Sequence, residues 1–291
     1  MTQYIYQARV RWADQDAQRH VNNVVYVDYL QEARVDWILD GPHPELLNHG
    51  ITVVAQQVEY VSPAYFGGDS IIIRLWVSRV GGARFTVAYE VSQGDTLVAR
   101  ATTDCAPYDV TAHRVRRLTA AERAWLDDWS GPQITFRDLP QVPWDRGSGV
   151  EYPVRVRWSE VDACGHINNV AILTFLQEAR IAVLEEARGR DGWGRPGADI
   201  SWLVAAQQIE YRTEMPYRIE PYLAELVVLH LGSSSMSLEV QIRDPRLDVL
   251  HAAGRVVLVC ADGQGRPRRI SDTVRAALRP ITMTAGGPYG D

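Results

Sequence analysis

The sequence contains no lysine: all 30 basic residues are arginine, set against 36 acids for a net charge of −6. That balance gives a phosphate backbone no basic face to rest on, which argues against non-specific nucleic-acid binding. The exclusive use of arginine reads as codon bias in a GC-rich genome rather than as function. Cysteine is scarce too. Cys105, Cys164 and Cys260 are odd in number and show no CxxC spacing, so neither a disulfide framework nor a zinc site is expected. No stretch approaches the roughly 18 uninterrupted apolar residues of a membrane span. The N-terminal residues reach charge by Arg9 without the apolar core of a secretory signal. These absences predict a soluble, cytoplasmic chain with no membrane and no nucleic-acid partner. What is present is ordinary globular composition, 46% hydrophobic over 291 residues, which is enough for two domains.

An internal repeat organises those residues. VRWADQDAQRHVNNVVYVDYLQEARV (10–35) returns as VRWSEVDACGHINNVAILTFLQEARI (156–181), identical at 14 of 26 positions at an offset of 146. Chance would give one or two, so this is duplication. Ala55-Gln56-Gln57-Val58-Glu59-Tyr60 returns as Ala206-Gln207-Gln208-Ile209-Glu210-Tyr211 at an offset of 151. The second copy has therefore gained five residues, placed most simply in the Gly-rich stretch 188–199. That stretch has neither GxGxxG nor GxxxxGK[ST] order and reads as a longer surface loop, not a phosphate cradle.

Each copy reads as strand, helix, several strands and a last short helix. The first strands are expected over roughly 4–12 and 152–158. Asn22-Asn23 and Asn168-Asn169 supply helix caps. Tyr26, Tyr29, Leu30, Ala33, Trp37 and Ile38 form one helical stripe. The second helix is more apolar all round (Ile172, Leu173, Phe175, Leu176, Ile181, Leu184) and is expected to be more fully buried. Phe85, Val87, Tyr89 and Val91, like Met236, Leu238, Val240 and Ile242, alternate with mostly polar residues, the mark of strands with one buried face. Gly81-Gly82 and Gly232-Ser233 read as hairpin turns, the serines Ser233 to Ser235 included. Thr119 and Ser271 read as caps of the closing helices. The Pro- and Gly-containing segment from Asp128 to Gly149 reads as a linker, with the duplication boundary near residue 145. The expected organisation is a first domain over 1–130, a linker over 131–149 and a second domain over 150–291, each α+β with one helix against an antiparallel sheet.

The densest shared signal is Asp-x-x-x-His-[Val/Ile]-Asn-Asn, occupied by Asp16, His20, Asn22 and Asn23, then by Asp162, His166, Asn168 and Asn169. It falls in the turn between first strand and main helix. A helix start offers free N–H groups and the positive end of a dipole, which polarise an acyl carbonyl and stabilise the oxyanion of an attack on it. A carboxylate a few residues earlier can act as nucleophile or as general base on water. Asn22 and Asn168 read first as caps, and the two histidines as loop anchors or direct participants. Glu32–Arg34 and Glu178–Arg180 read as ion-pair networks. Arg116 and Arg117, with Arg268 and Arg269 at the equivalent place, read as a solvated basic stretch, although arginine forks also suit phosphate. Cys164 has only Gln18 opposite it in the first copy, so no nucleophilic role is assigned to it.

The runs Asp16–Arg34 and Asp162–Arg180 resemble the signature of hotdog-fold thioesterases of the 4-hydroxybenzoyl-CoA thioesterase type, and HVNN and HINN resemble plant acyl-carrier-protein thioesterases. The resemblance spans both halves and implies a double hotdog, each half a long helix wrapped by an antiparallel sheet, with sites at the interface between halves. It implies an enzyme that hydrolyses acyl-CoA, or acyl-carrier-protein, thioesters, with no cofactor beyond the coenzyme A of the substrate and with two or three chains per particle. It puts the catalytic carboxylate on Asp16 and Asp162, the polarising amide near Asn23 and Asn169, and the motif histidine on His20 and His166. Two positions depart from the family pattern: Arg19, where Gly165 keeps the usual glycine, and Ile172, where Tyr26 keeps the usual aromatic. Two other readings compete: a hotdog hydratase, and a non-catalytic acyl-CoA-binding or regulatory protein. The last would bind without turnover and tolerate Asp→Asn.

Overall fold

The first strand of each half stops early. In the computed structural model, which describes residues 2–162, 165–188 and 201–283, β1 is Tyr4–Ala8. The residues expected to extend it instead form a 3-10 turn at Trp12–Asp14, because the Asp14 carboxylate accepts from the Arg11 backbone N–H at 2.6 Å. The second half repeats this: its first strand ends at Val154, and Glu160 accepts from the Arg157 N–H at 2.6 Å. A local carboxylate takes the donor that would have continued the ladder.

In chain order the first half continues with α1 (Asn23–Asp40), α2 (Glu45–His49), β2 (Ile51–Tyr60), β3 (Ile71–Val80), β4 (Phe85–Gln93), β5 (Thr96–Asp109), β6 (Arg114–Val115) and α3 (Ala120–Asp128). The second half has β7 (Val150–Val154), α4 (Asn169–Arg188), β8 (Ser201–Tyr211), β9 (Tyr222–Leu231), β10 (Ser235–Asp244), β11 (Val249–Ala261) and α5 (Asp272–Leu278). The strands form one antiparallel sheet in the order β1-β3-β4-β5-β2-β8-β11-β10-β9-β7, with β6 paired to β5 off that path. The second five strands mirror the first five. The halves join where β2 pairs β8, with Gln57 opposite Gln208. Those two residues are equivalents at the repeat offset, so a pseudo-twofold axis passes between them. This is a double hotdog.

α1 and α4 lie against the sheet with matching faces. Tyr26, Leu30 and Ile38 are buried on α1 as Ile172, Leu176 and Leu184 are on α4. The second helix is not the more buried of the two: nine side chains of α1 are buried against eight of the described ones of α4, and Ile181 is 41% exposed. Ile181, the counterpart of Val35, falls on the outer side of the helix. Trp37 stacks on Trp125 of α3 at 4.5 Å, closing the far end of the first core. The Thr119 cap and its Glu122 partner form a capping box, and Ser271 accepts from the Val274 N–H.

The strands are buried on both faces, not one as their alternation predicts: Ala88, Ser237 and Glu239 are buried beside the expected inward set. The segment 131–149, which carries no helix or strand, helps to cover the outer face. The Trp76 indole donates to Pro132 O at 2.7 Å, the Trp144 indole to Glu239 at 3.2 Å, and the Gly147 and Gly149 N–H groups to Glu225. The Gly-rich stretch 189–199 and Cys164 lie outside the described residues. Among the described residues, no helix is long and apolar enough to cross a membrane.

Candidate active sites at the two helix starts

Both shared motifs fold into the same tight loop. Asp16 accepts the Gln18 and His20 backbone N–H groups on one carboxylate oxygen, at 2.8 and 3.1 Å, and its own N–H donates to His20 O. Asp162 accepts the His166 N–H at 3.1 Å in the same way. The turn needs a left-handed residue. Gly165 takes φ +82° at no steric cost, whereas Arg19 is held at φ +65°, a conformation that disfavours residues with a Cβ.

The helix caps form as the double asparagines predict. Asn22 Oδ1 accepts from Val24 N at 2.9 Å, and Asn168 Oδ1 from Val170 N at 2.8 Å. Among the described residues the backbone N–H groups of Asn23 and Asn169 have no acceptor, so each helix start presents a free donor. Tyr60 and Tyr211 donate to the carbonyls of Asn23 and Asn169 at 2.7 and 3.0 Å, which fixes the first turn of each helix. The Asn23 amide reaches across the interface to Gln207 at 3.1 Å, and Asn168 to Gln31 at 3.4 Å. Each helix start thus lies at the junction of the two halves.

The histidines part company. His166 Nε2 lies 3.1 Å from Glu214 Oε2, and the other oxygen of Glu214 accepts from the hydroxyl of Tyr108, which belongs to the first half. With Nε2 as the donor, the lone pair of His166 is on Nδ1. His20 has no carboxylate partner among the described residues. Its ring meets Tyr65 edge-on at 5.3 Å, and Pro63 stands where Glu214 stands in the second half. Glu214 and Tyr108 were not found from the sequence, because a repeat comparison highlights what the copies share and these residues are what they do not.

His113, at the turn before β6, adds a third donor here. His113, His166 and Glu214 each offer one ligand atom, all within 4.8 Å of one another, so the cluster has the donor set of a two-histidine, one-carboxylate metal centre. The same hairpin carries the arginine cluster to the second site. Arg116 itself is engaged: its guanidinium donates to both oxygens of buried Glu122, at 2.9 and 2.6 Å. Arg117, Arg268 and Arg269 are exposed. The expected ion pairs of Glu32–Arg34 and Glu178–Arg180 do not form, because both arginines point inward and are buried while the glutamates are not. A cleft of about 440 Å³ runs between the two helix starts, lined in part by Val24, Val25 and Val170 together with Asn168 and the carboxylates of Asp28 and Glu160.

The family model of the thioesterase-like superfamily matches this chain twice, over residues 10–129 and again over 156–278. The chain belongs to the thioesterase-like superfamily. Thioester hydrolysis is the reaction class that this membership carries. An uncharacterised protein of Bacillus subtilis (strain 168), YsmA, is 32% identical over 105 residues, 35% of this chain and 67% of that protein. Among solved structures, the 12:0-ACP thioesterase from Umbellularia californica aligns with a TM-score of 0.72 at 13% identity, covering 89% of this chain and 94% of that one. An acyl-ACP thioesterase from Bacteroides thetaiotaomicron aligns at 0.63 and 11% identity, covering 88% and 97%. At such identities the likeness is one of fold, and it extends over both hotdogs together.

Proposed function

We propose that this superfamily member hydrolyses acyl-CoA or acyl-carrier-protein thioesters, CoA before the carrier protein, and that turnover belongs to the second-half site. The observation that carries the assignment is the His166–Glu214–Tyr108 chain, which the first half lacks. The thioester carbonyl takes the free N–H at Asn169, where the helix start stabilises the developing oxyanion. Asp162 serves as nucleophile or as base toward water, and His166, oriented by Glu214, moves the proton. Asn168 holds the helix start in place as its cap. In the first half Asp16, His20, Asn22 and Asn23 keep the geometry of binding but not the oriented imidazole. Arg117 reaches the carrier's phosphates from the first half's hairpin, and Arg269 is its counterpart in the second, beside Arg268, which corresponds to Arg116.

The two acyl-ACP thioesterases of like fold keep the carrier protein beside CoA in this reading. Two further parts of it concern assembly and compartment. Two or three chains associate, covering Trp12 and Trp158, which are 75% and 72% exposed at equivalent positions. Light scattering giving a 32.7 kDa monomer would sink this part. The buried free thiols of Cys105 and Cys260 fit a reducing, cytoplasmic setting.

The test is thiol release by Glu214→Gln, which keeps the shape and removes the charge. A fall of about 10- to 1,000-fold in kcat with little change in KM is expected. Unchanged kcat would remove Glu214 from the site. Activity abolished by EDTA and restored by zinc would turn His113, His166 and Glu214 from an orienting chain into metal ligands.

A further inference from the structure

The duplication allows the two halves to be compared atom for atom, and the most informative difference lies under the helices. In the first half, buried Arg34 on α1 donates to the Tyr89 hydroxyl at 3.1 Å, and buried Gln56 donates to the Thr103 hydroxyl at 3.1 Å. Two oxygens, one on β4 and one on β5, therefore receive the two donors. Strand register identifies the same places in the second half. Val240 pairs with Gly254 as Tyr89 pairs with Ala101, and Gln207 faces Val256 as Gln56 faces Thr103. Arg180 and Gln207 are retained there, while Tyr89 and Thr103 have both become valine. The donors remain and the acceptors are gone.

The result is an unmet demand for an acceptor. Arg180 is 8% exposed and makes no hydrogen bond or ion pair among the described residues. Burial pushes its guanidinium down to about 10. Gln207 is 5% exposed; its Oε1 accepts from the Asn23 amide, and its Nε2 has no partner. A cavity of about 20 Å³ is lined by Arg180, Gln207 and Asn23 with Val240 and Val256. That is room for one water-sized atom, or for a single oxygen of a larger group. The other arginine in its wall, Arg255, is already paired with Glu239 and Glu210. Water could satisfy Gln207 but would bring no charge to Arg180, which Tyr60 and Glu178 favour electrostatically without bonding to it, and an anionic oxygen serves both donors.

We propose that this cavity, at the first-half helix start, is an anion subsite that takes one carboxylate oxygen borne by the acyl group of the ligand, so that the first half selects thioesters of dicarboxylic acids. The identity of the ligand as a thioester rests on the function proposed above; the demand for an anion does not. Charge-assisted hydrogen bonds to a buried arginine set the scale of the preference at roughly 10- to 100-fold in Kd.

The test is calorimetric binding to the full chain carrying Asp162→Asn, which suppresses turnover. The probes are three CoA thioester pairs that exchange a methyl for a carboxylate: butyryl and succinyl, valeryl and glutaryl, hexanoyl and adipyl. The anionic member of at least one pair should bind about 10-fold tighter or better. The double variant Val240→Tyr/Val256→Thr restores the first half's own set of side chains, which already packs in this fold. It should erase that preference while leaving the neutral thioesters bound, and Arg180→Met should do the same. Equal binding within all three pairs, or a preference that survives the double variant, overturns the proposal. If no thioester binds, glutarate alone decides. A glutarate-induced rise in Tm that the double variant lacks leaves the subsite standing and removes the thioester reading, and no rise removes the subsite as well.

Discussion

Replacing Tyr89 with phenylalanine removes one oxygen and leaves the ring in place. That oxygen accepts from Arg34, and both side chains are buried, Tyr89 at 0% and Arg34 at 5% exposure. Burial pushes the phenol above its ordinary value, so it is neutral at pH 7 and serves Arg34 as an acceptor of hydrogen bonds. Losing the bond strands a guanidinium donor away from water. Hydrogen bonds to charged groups contribute about 1.5–3 kcal/mol net, and the stranded donor puts the cost at or above that range. For a chain of this size, with about 2–3 °C per kcal/mol, Tm should fall by about 3–9 °C in thermal unfolding followed by circular dichroism. The double variant Arg34→Met/Tyr89→Phe should recover most of the loss, since it removes donor and acceptor together. A Tyr89→Phe protein melting within 1 °C of wild type (about half a kcal/mol or less) would refute the claim that Arg34 depends on this oxygen. The contrast drawn with Arg180 would fall with it.

Two further expectations concern stability. Burial pushes the Glu122 carboxyl up, but the hydrogen bonds from Arg116 and Thr119 outweigh it and hold the group below its ordinary value. A carboxylate depressed in the folded state contributes stability that is fully present above its unfolded value of 4.5 and is lost as pH falls through the folded value. Glu122→Gln should therefore lower Tm at pH 7, with the gap to wild type closing below about pH 4; a gap that persists in acid would assign the effect to packing. Asn22→Ala and Asn168→Ala should each cost about 1 kcal/mol in urea unfolding with little change in m-value. No loss from either would mean that the helix starts are held by the sheet alone.

Much of this architecture was legible because the duplication doubled every signal. The offset of 146 located both helices, and Asn22 and Asn168 cap them as written. The hairpins at Gly81 and Gly232 and the caps at Thr119 and Ser271 followed from turn and cap chemistry. Three features were not legible, each for a physical reason. The first strands end early because Asp14 and Glu160 capture a backbone donor, an effect that alternation of hydrophobicity does not register. Burial of both faces of the sheet depends on where 131–149 runs, and no local pattern encodes that. Arg34 and Arg180 sit beside glutamates in sequence but point away from them, since helix phase and not spacing along the chain decides what meets. At the candidate site the shared residues Asp16, His20, Asp162 and His166 stood out at once. Glu214 and Tyr108, which make the halves unequal, come from a strand connection and the opposite half, beyond the reach of a comparison built on likeness.

The central claim is that hydrolysis belongs to the second helix start. It is tested most directly by thiol release from short, long and aromatic acyl-CoA esters, comparing wild type with Asp16→Asn, Asp162→Asn and the double variant. The account predicts that Asp162→Asn alone reduces kcat to the level of the double variant, while Asp16→Asn retains at least about half of the wild-type rate, a barrier change of less than about 0.5 kcal/mol. Turnover that survives Asp162→Asn and disappears with Asp16→Asn would contradict it.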